Sequence, residues 1–351
     1  MMHLIQNEFQ KLFLKKSSWI MQLILIVMVF LMTMLMLMIS RVDGIAEKPQ
    51  PQGVTTYLNA EGQQISKDDY LTAQSEKKAE GYSEKVLSPK DSVTALKAAK
   101  ENAPKTEQDS IQKQIDYYQV YADKGKTPMT SSSSMSGPEF FASLGTVQMI
   151  ASILVAVVAS VIVASEFSGG TIKLLLARPY SRSQILASKF FVVLLYAVIT
   201  SIVLLISAFL FSLLLSGGNY LLPVSQDLGA MNAVQAALLL LGSNFILMTV
   251  YASIAFLFSS VVRSQALAVG VSLGVLFSGS VLTALLPIAI AKYDWMKWIL
   301  FNLLNLNSAV SGQPIAGGLA VWQIIAGLFV YIIIFLGLSF FIFKKRDVAL
   351  S

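Results

Sequence analysis

Six long apolar stretches of this chain contain no Asp, Glu, Lys or Arg: Trp19–Ile39, Ser143–Ala164, Phe190–Leu215, Ala233–Phe258, Ala266–Ile290 and Val321–Phe343. A bilayer core is about 30 Å thick and a helix rises about 1.5 Å per residue, so roughly 20 such residues in a row cross it. The first stretch has 21. Backbone groups in lipid are satisfied only inside a helix or a closed barrel, and runs this long fit helices. The chain therefore reads as an all-α membrane protein with six transmembrane helices. Lys11, Lys15 and Lys16 precede the first stretch. That stretch is too long for the core of a signal peptide and no clean small-x-small site follows it, so it reads as an uncleaved anchor.

Six crossings put both termini on one side, and the basic residues say which. Eleven Lys and Arg, namely Lys11, Lys15, Lys16, Lys173, Arg178, Arg182, Lys189, Arg263, Lys344, Lys345 and Arg346, fall on the side of the termini, against Lys292 and Lys297 in short loops opposite. The positive-inside rule makes both termini cytoplasmic. The net charge of +6 is then mostly a topology signal. With no basic stripe on a folded soluble domain, a nucleic-acid partner is set aside.

Residues 41–142 form the one large polar segment, with 13 Lys and Arg and 15 Asp and Glu. Loops this long escape the charge rule, so an extracytoplasmic insert is consistent with it. Ser66 with Asp69, and Ser88 with Pro89 and Asp91, predict helix starts, and Gly81 is expected to end the first helix. Ile111, Ile115, Tyr118 and Ala122 share one helical face. Two or three amphipathic helices in a hairpin are expected, with 49–51 and 130–138 as flexible joints. A solvated spacer and a sensing domain both remain open for this insert.

Chemistry is sparsely equipped. There is no Cys, and His3 is the single histidine, so thiol chemistry, the usual metal clusters and a Ser-His-Asp relay are unavailable. Gly270-Val-Ser272-Leu-Gly274 matches G-x-S-x-G, but it lies in mid-span with no base in any span. A packing face made by Gly270 and Gly274 is the favoured reading. Catalytic and metal-binding residues are expected to be absent. Spans without charge also argue against a proton- or ion-coupled carrier. Uncharged polar residues such as Gln235, Ser243, Asn244, Thr249, Ser272, Ser278 and Thr283 read as interhelical contacts.

The strongest local signal runs from Glu166 to Lys189, EFSGGTIKLLLARPYSRSQILASK. It reads as helix, break, short helix, break, helix. Gly169 and Gly170 interrupt the span, Ile172 and Leu174–Leu176 suit an interface, Lys173 and Arg178 face phosphates or protein, and Pro179 stops the piece. Ser181 with Gln184 predicts a capping box for the next helix. An ordinary interfacial loop is the alternative.

Through its E-x-x-x-G-T, L-L and P-x-S-R elements and its final Lys, this segment resembles the cytoplasmic loop of ABC-2-type permeases, the membrane subunits of ATP-binding-cassette exporters. The resemblance implies that 165–189 is a coupling segment, with Glu166, Gly170, Thr171, Lys173, Arg178, Pro179, Ser181 and Arg182 docking on an ATPase subunit. Leu4, Ile5, Phe9, Leu12, Phe13 and Lys16 fall on one side of a helix over 1–17 that can lie along the inner leaflet, and the resemblance implies that this helix leans on the ATPase. The first span follows over 18–40, and the other five occupy 143–351. Segment 292–320 is expected to dip back into the bilayer. Arg263 is either a second cytoplasmic contact or only a topology marker. The insert departs from many such permeases. No G-x-x-x-x-G-K-[ST] loop occurs, so no cofactor is expected on this chain, and ATP and Mg would sit on the partner ATPase. A second permease copy or paralogue, the lipid bilayer and a bacterial plasma membrane complete the implied setting. The expected function is export of a hydrophobic or amphipathic compound: an antimicrobial peptide, drug or lipid-linked molecule. A non-transporting sensor is the competing class.

Overall fold

The computed structural model describes residues 2–41, 50–61, 63–75, 81–130, 135–171, 180–215, 217–262 and 264–345. Its helices are α1 (Met2–Leu14), α2 (Lys16–Arg41), α3 (Lys67–Ser75), α4 (Pro89–Asn102), α5 (Lys105–Asp123), α6 (Gly137–Ala142), α7 (Gln148–Ser168), α8 (Arg182–Ser212), α9 (Ala233–Val261), α10 (Gln265–Lys292), α11 (Leu300–Leu303), α12 (Leu306–Val310) and α13 (Val321–Lys345). Among the described residues, α2, α7, α8, α9 and α13 are long and apolar enough to cross a membrane. The fifth expected stretch, Ala266–Ile290, coincides with α10, which is apolar over Gln265–Gly279 and carries Pro287 near its end.

The chain divides into two compact units. One comprises Met1–Thr33, Ser143–Leu214 and Ala237–Ser351, the other Met34–Ala142 and Leu215–Ala236. In the first unit, Leu4, Val163, Ile185, Leu186, Phe190, Phe256 and Phe343 form one core. Leu247, Val250, Ile254, Leu303, Leu306, Ile324 and Leu328 belong to another. The stretch expected to dip back is a broken helical piece made of a 3-10 turn, α11 and α12. Its Leu303 and Leu306 are fully buried, and its polar groups are answered inside the protein. Asn302 Nδ2 donates to the carbonyls of Lys297 and Ala316, and Ser243 Oγ donates to Asn307 Oδ1 at 2.7 Å. Irregular backbone among apolar helices requires this kind of internal satisfaction.

Two boundaries differ from expectation. The second span is expected from Ser143, yet α7 begins at Gln148, because Leu144, Gly145 and Thr146 all take positive φ (49°, 64° and 59°). Three left-handed residues cannot continue a right-handed helix; the Gln148 side chain braces the turn by donating to the Ser143 carbonyl. The helix that carries the third span begins earlier than Phe190, at Arg182, where the expected capping box is present: Ser181 Oγ accepts from the Gln184 amide and Gln184 Oε1 from the Ser181 amide.

The second unit is not purely helical. Helices α4 and α5 pair as a hairpin, started by Ser88 over the Asp91 amide. The expected cap at Ser66 is also present, its Oγ accepting from the Asp69 amide. Gly81 does adopt a left-handed φ of 87°, but residues 76–80, where α3 was expected to run up to it, lie outside the described residues. Two small antiparallel sheets accompany the helices. β2 (Thr55–Leu58) pairs with β3 (Gln64–Ile65) and with β4 (Ser83–Val86), while β1 (Gln50–Pro51) pairs with β5 (Met129–Thr130). The segments expected as loose joints are therefore, at Gln50–Pro51 and Met129–Thr130, the two strands of a ladder; of the rest of those joints, 49 and 131–134 lie outside the described residues. The core is aromatic, with Val93, Leu96, Ile115, Tyr117, Tyr118 and Tyr121 joined by Leu222 from the loop after α8. Burial pushes the Tyr118 phenol up to about 12, so it stays neutral and hydrogen-bonds as an acceptor from Gln226 Nε2 at 2.7 Å.

Gly53 lies flat against the end of β4: an added Cβ would sit 2.3 Å from the Leu87 carbonyl oxygen and 2.8 Å from Val86 Cγ1. Because the obstacle is backbone, Gly53→Ala is expected to destabilise this unit by about 1–3 kcal/mol, the usual cost of overpacking. Limited proteolysis of the purified protein, scored at residues 50–130, checks it, the variant being cut sooner than wild type.

Candidate functional site

Helix α1 presents Leu4, Ile5, Phe9, Leu12 and Phe13 on one side, and in the middle of that side stands Glu8, only 4% exposed. A carboxylate cannot stay ionised in such a place without a partner. Its partner is Lys189, 2% exposed on the first turns of α8, whose Nζ lies 2.7 Å from Glu8 Oε2. The same ammonium lies 3.0 Å from Oε1 of Glu166, near the end of α7. Lys11 Nζ, half exposed, stands 3.5 Å from Glu8 Oε1 and 3.5 Å from Glu166 Oε1. Thr171 donates its hydroxyl to Glu166 Oε2. Two acids and two bases thus balance, and the pair of buried carboxylates is bridged by one buried ammonium.

This network ties three elements together at the point where the chain leaves the helices. After Glu166, α7 ends as the Gly169 amide bonds back to the Ser165 carbonyl, and Gly170 turns left-handed (φ 67°), a conformation glycine adopts freely. The chain returns at Ser181. On that return Arg182 Nη1 donates to the Lys344 carbonyl at 3.4 Å, at the C-terminal end of α13. A cation at a helix C-terminus also complements the helix dipole. At the other end of α1, Ser18 Oγ donates to the Leu12 carbonyl and Trp19 Nε1 to that of Phe13, fixing the elbow into α2. Tyr196 of α8 closes the elbow with its hydroxyl on the Ser18 carbonyl.

Of the residues that the resemblance assigns to docking, Gly170, Thr171 and Ser181 are exposed, and Arg182 lies at the surface against α13. Glu166 is different. It is 8% exposed and engaged by Lys189, Lys11 and Thr171, so its carboxylate organises the root of the segment and does not face outward. Lys173, Arg178 and Pro179, and with them the expected short helix, lie outside the described residues, as does Arg263. Gly270 and Gly274, expected as a packing face, are both exposed, and a Cβ on either would meet nothing within 4 Å among the described residues. Ser272 is buried and its hydroxyl donates to the Ala268 carbonyl at 2.6 Å, which leaves it in ordinary helical back-bonding with no base. Ser243 does make the expected interhelical contact. Asn244, fully buried, has no partner for its Nδ2 among the described residues. No group of three or more potential metal ligands occurs among the described residues.

Glu8 was missed by sequence reasoning, although its spacing carried the signal: it falls four residues from both Leu4 and Leu12, inside the apolar stripe. Removing one member of a buried ion network strands the others, typically at about 3–5 kcal/mol. Lys189→Met is expected to lose stability of that order, and adding Glu8→Gln and Glu166→Gln to it to recover most of the loss. Thermal unfolding of the detergent-solubilised variants reads this directly.

Over 200 residues the chain is 38% identical to the uncharacterized protein YhcI of Bacillus subtilis (strain 168), a match covering 55% of this chain and 63% of that protein, less than two thirds of its length. Over 196 residues it is 31% identical to the uncharacterized membrane protein YdbK of the same organism, covering 56% of this chain and 76% of that protein. Together with the apolar helices, this makes the chain a multi-pass membrane protein. A family model, described as protein of unknown function (DUF2705), matches residues 108–349, and the chain belongs to that family.

Proposed function

We propose that the chain is the permease subunit of an ATP-driven exporter of the ABC-2 type, with ATP and Mg held by a separate ATPase subunit. The observation that carries this reading is the buried Glu8–Lys189–Glu166 network. It joins α1, α7 and α8 at both roots of the 169–181 segment, so a force applied to that segment reaches three helices at once. A rigid root with an exposed rim is what a coupling element requires, since motion is transmitted by packed elements with discrete arrangements. In this reading Gly170, Thr171, Lys173, Arg178, Pro179, Ser181 and Arg182 form the docking rim, Glu166 positions it, and Arg263 adds a contact. Six spans result when α10 is counted with the five helices α2, α7, α8, α9 and α13, segment 292–320 re-enters the bilayer, and both termini are cytoplasmic in a bacterial plasma membrane. A second copy or a paralogue covers the exposed Gly270 and Gly274 face. The cargo is a hydrophobic or amphipathic compound such as an antimicrobial peptide, drug or lipid-linked molecule, consistent with spans free of charge.

The competing reading, a membrane sensor without transport, draws support from the separate core of the second unit. Affinity purification of the tagged chain in mild detergent separates the two. A P-loop ATPase in about equal amount, whose hydrolysis is coupled to cargo, supports the exporter; a chain that arrives with no ATPase overturns it. Arg182→Ala is expected to weaken that coupling by roughly 5- to 150-fold, the span of ordinary allosteric coupling energies, while leaving thermal stability near wild type. Deleting residues 53–128 is expected to leave basal hydrolysis in an exporter and to abolish all response in a sensor.

Sidedness has a clean test because the chain lacks cysteine. A membrane-impermeant maleimide is expected to label Ser75→Cys on intact cells, and Ser183→Cys only after permeabilisation. The reverse pattern would invert the topology.

A further inference from the structure

The second unit contains a cavity of about 430 Å³, bounded by the last turns of α2, by α5, by the stretch before α6 with its first turn, and by the loop after α8. That volume is in the range of small-molecule sites. Its chemistry is one-sided. Among the described residues that line it, Glu139 is the one carboxylate and there is no Lys or Arg. Ser136 donates both its amide and its hydroxyl to Glu139 Oε2 (2.8 and 2.9 Å), and Oε1 accepts no hydrogen bond among the described residues. The phenolic protons nearby are already committed: Tyr117 donates to Gln52 Oε1 at 3.0 Å and Tyr121 to the Pro223 carbonyl at 2.9 Å. What these groups offer a ligand is lone pairs, aromatic surface and negative charge. Burial raises both phenol pKa values, and the neighbouring Glu139 charge adds to the rise in each. Three methionines, Met36, Met129 and Met135, complete the lining with polarizable, adaptable surface.

The cavity is also preformed on one side. Gly218, at φ 95°, lies so close to Pro138 that an added Cβ would sit 2.7 Å from the proline ring, so backbone packed on a ring makes that wall.

We propose that this cavity binds an amphipathic organic cation, its charge held by Glu139 and its apolar body by Tyr117, Tyr121 and the methionines. Aromatic faces and a partly buried carboxylate both favour a weakly hydrated cation. An anion would meet the Glu139 carboxylate with no Lys or Arg among the described lining residues to offset it. A small metal ion would find one carboxylate, too few oxygen ligands for a hard cation site. The proposal needs neither transport nor an ATPase partner, so its failure and that of the exporter reading are separate events.

Tetraphenylphosphonium and tetraphenylborate, alike in shape and opposite in charge, test it by calorimetric titration of the full chain in nanodiscs, with empty nanodiscs as the partition blank. Saturable one-to-one binding of the phosphonium is expected, with the borate weaker by about tenfold or more. Glu139→Gln keeps an oxygen for Ser136 and is expected to erase that preference. Met129→Lys, at a 54% exposed position, adds positive charge to the lining without touching the core, and is expected to reverse the preference. Equal binding of the two ions by wild type, or a phosphonium affinity unchanged in both variants, overturns the proposal.

Discussion

One buried ammonium holds the helical unit together where it is hardest to hold. Taking Lys189, Glu8 and Glu166 out of water costs several kcal/mol per ion, and their mutual contacts at 2.7 and 3.0 Å, with Lys11 and Thr171 beside them, offset that cost. Because each charge is tolerable only while the others are in place, α1, the end of α7 and the start of α8 are locked into one relation. Hydrophobic packing alone would let these helices slide, since one apolar contact is much like the next. Charges confer a register that oil does not. The elbow into α2, with Ser18, Trp19 and Tyr196 as its fasteners, follows from where α1 is pinned.

Features carried by runs or by local rules were legible in the sequence. Uncharged stretches of more than 20 residues gave helices near the expected places, and Ser66, Ser88 and Ser181 marked helix starts by the geometry of capping. Features that depend on partners distant in sequence were not. Lys189 looked like a topology marker at a loop end, and nothing local said that Glu8, 181 residues away, would reach it. The strands of the second unit are two to four residues long, too short for an alternating pattern to stand out. The left-handed turn at 144–146 was hidden in an apolar run whose composition says helix. The Gly270–Gly274 spacing tells which face is small and not what covers it.

The loop after α8 belongs to the same unit as the insert, a grouping that sequence order conceals. Leu222 enters the tyrosine core, and Gln226 and the Pro223 carbonyl take up the hydroxyls of Tyr118 and Tyr121. A polar segment with a thin apolar stripe thereby gains the extra surface it lacks, which is the ordinary difficulty of small domains. The phenols serve twice, filling volume with their rings and pairing their hydroxyls with the side chains of Gln52 and Gln226 and with the Pro223 carbonyl.

The ladder between Gln50–Pro51 and Met129–Thr130 brings the chain back to where it departed. Between these strands nearly eighty residues fold with their ends already joined, so evolution can lengthen, trim or exchange what lies beyond the ladder without retuning the helices on either side. Lineages sharing the same membrane scaffold would then differ most in the piece that closes on itself here, as readily as a tool head is changed on a common handle.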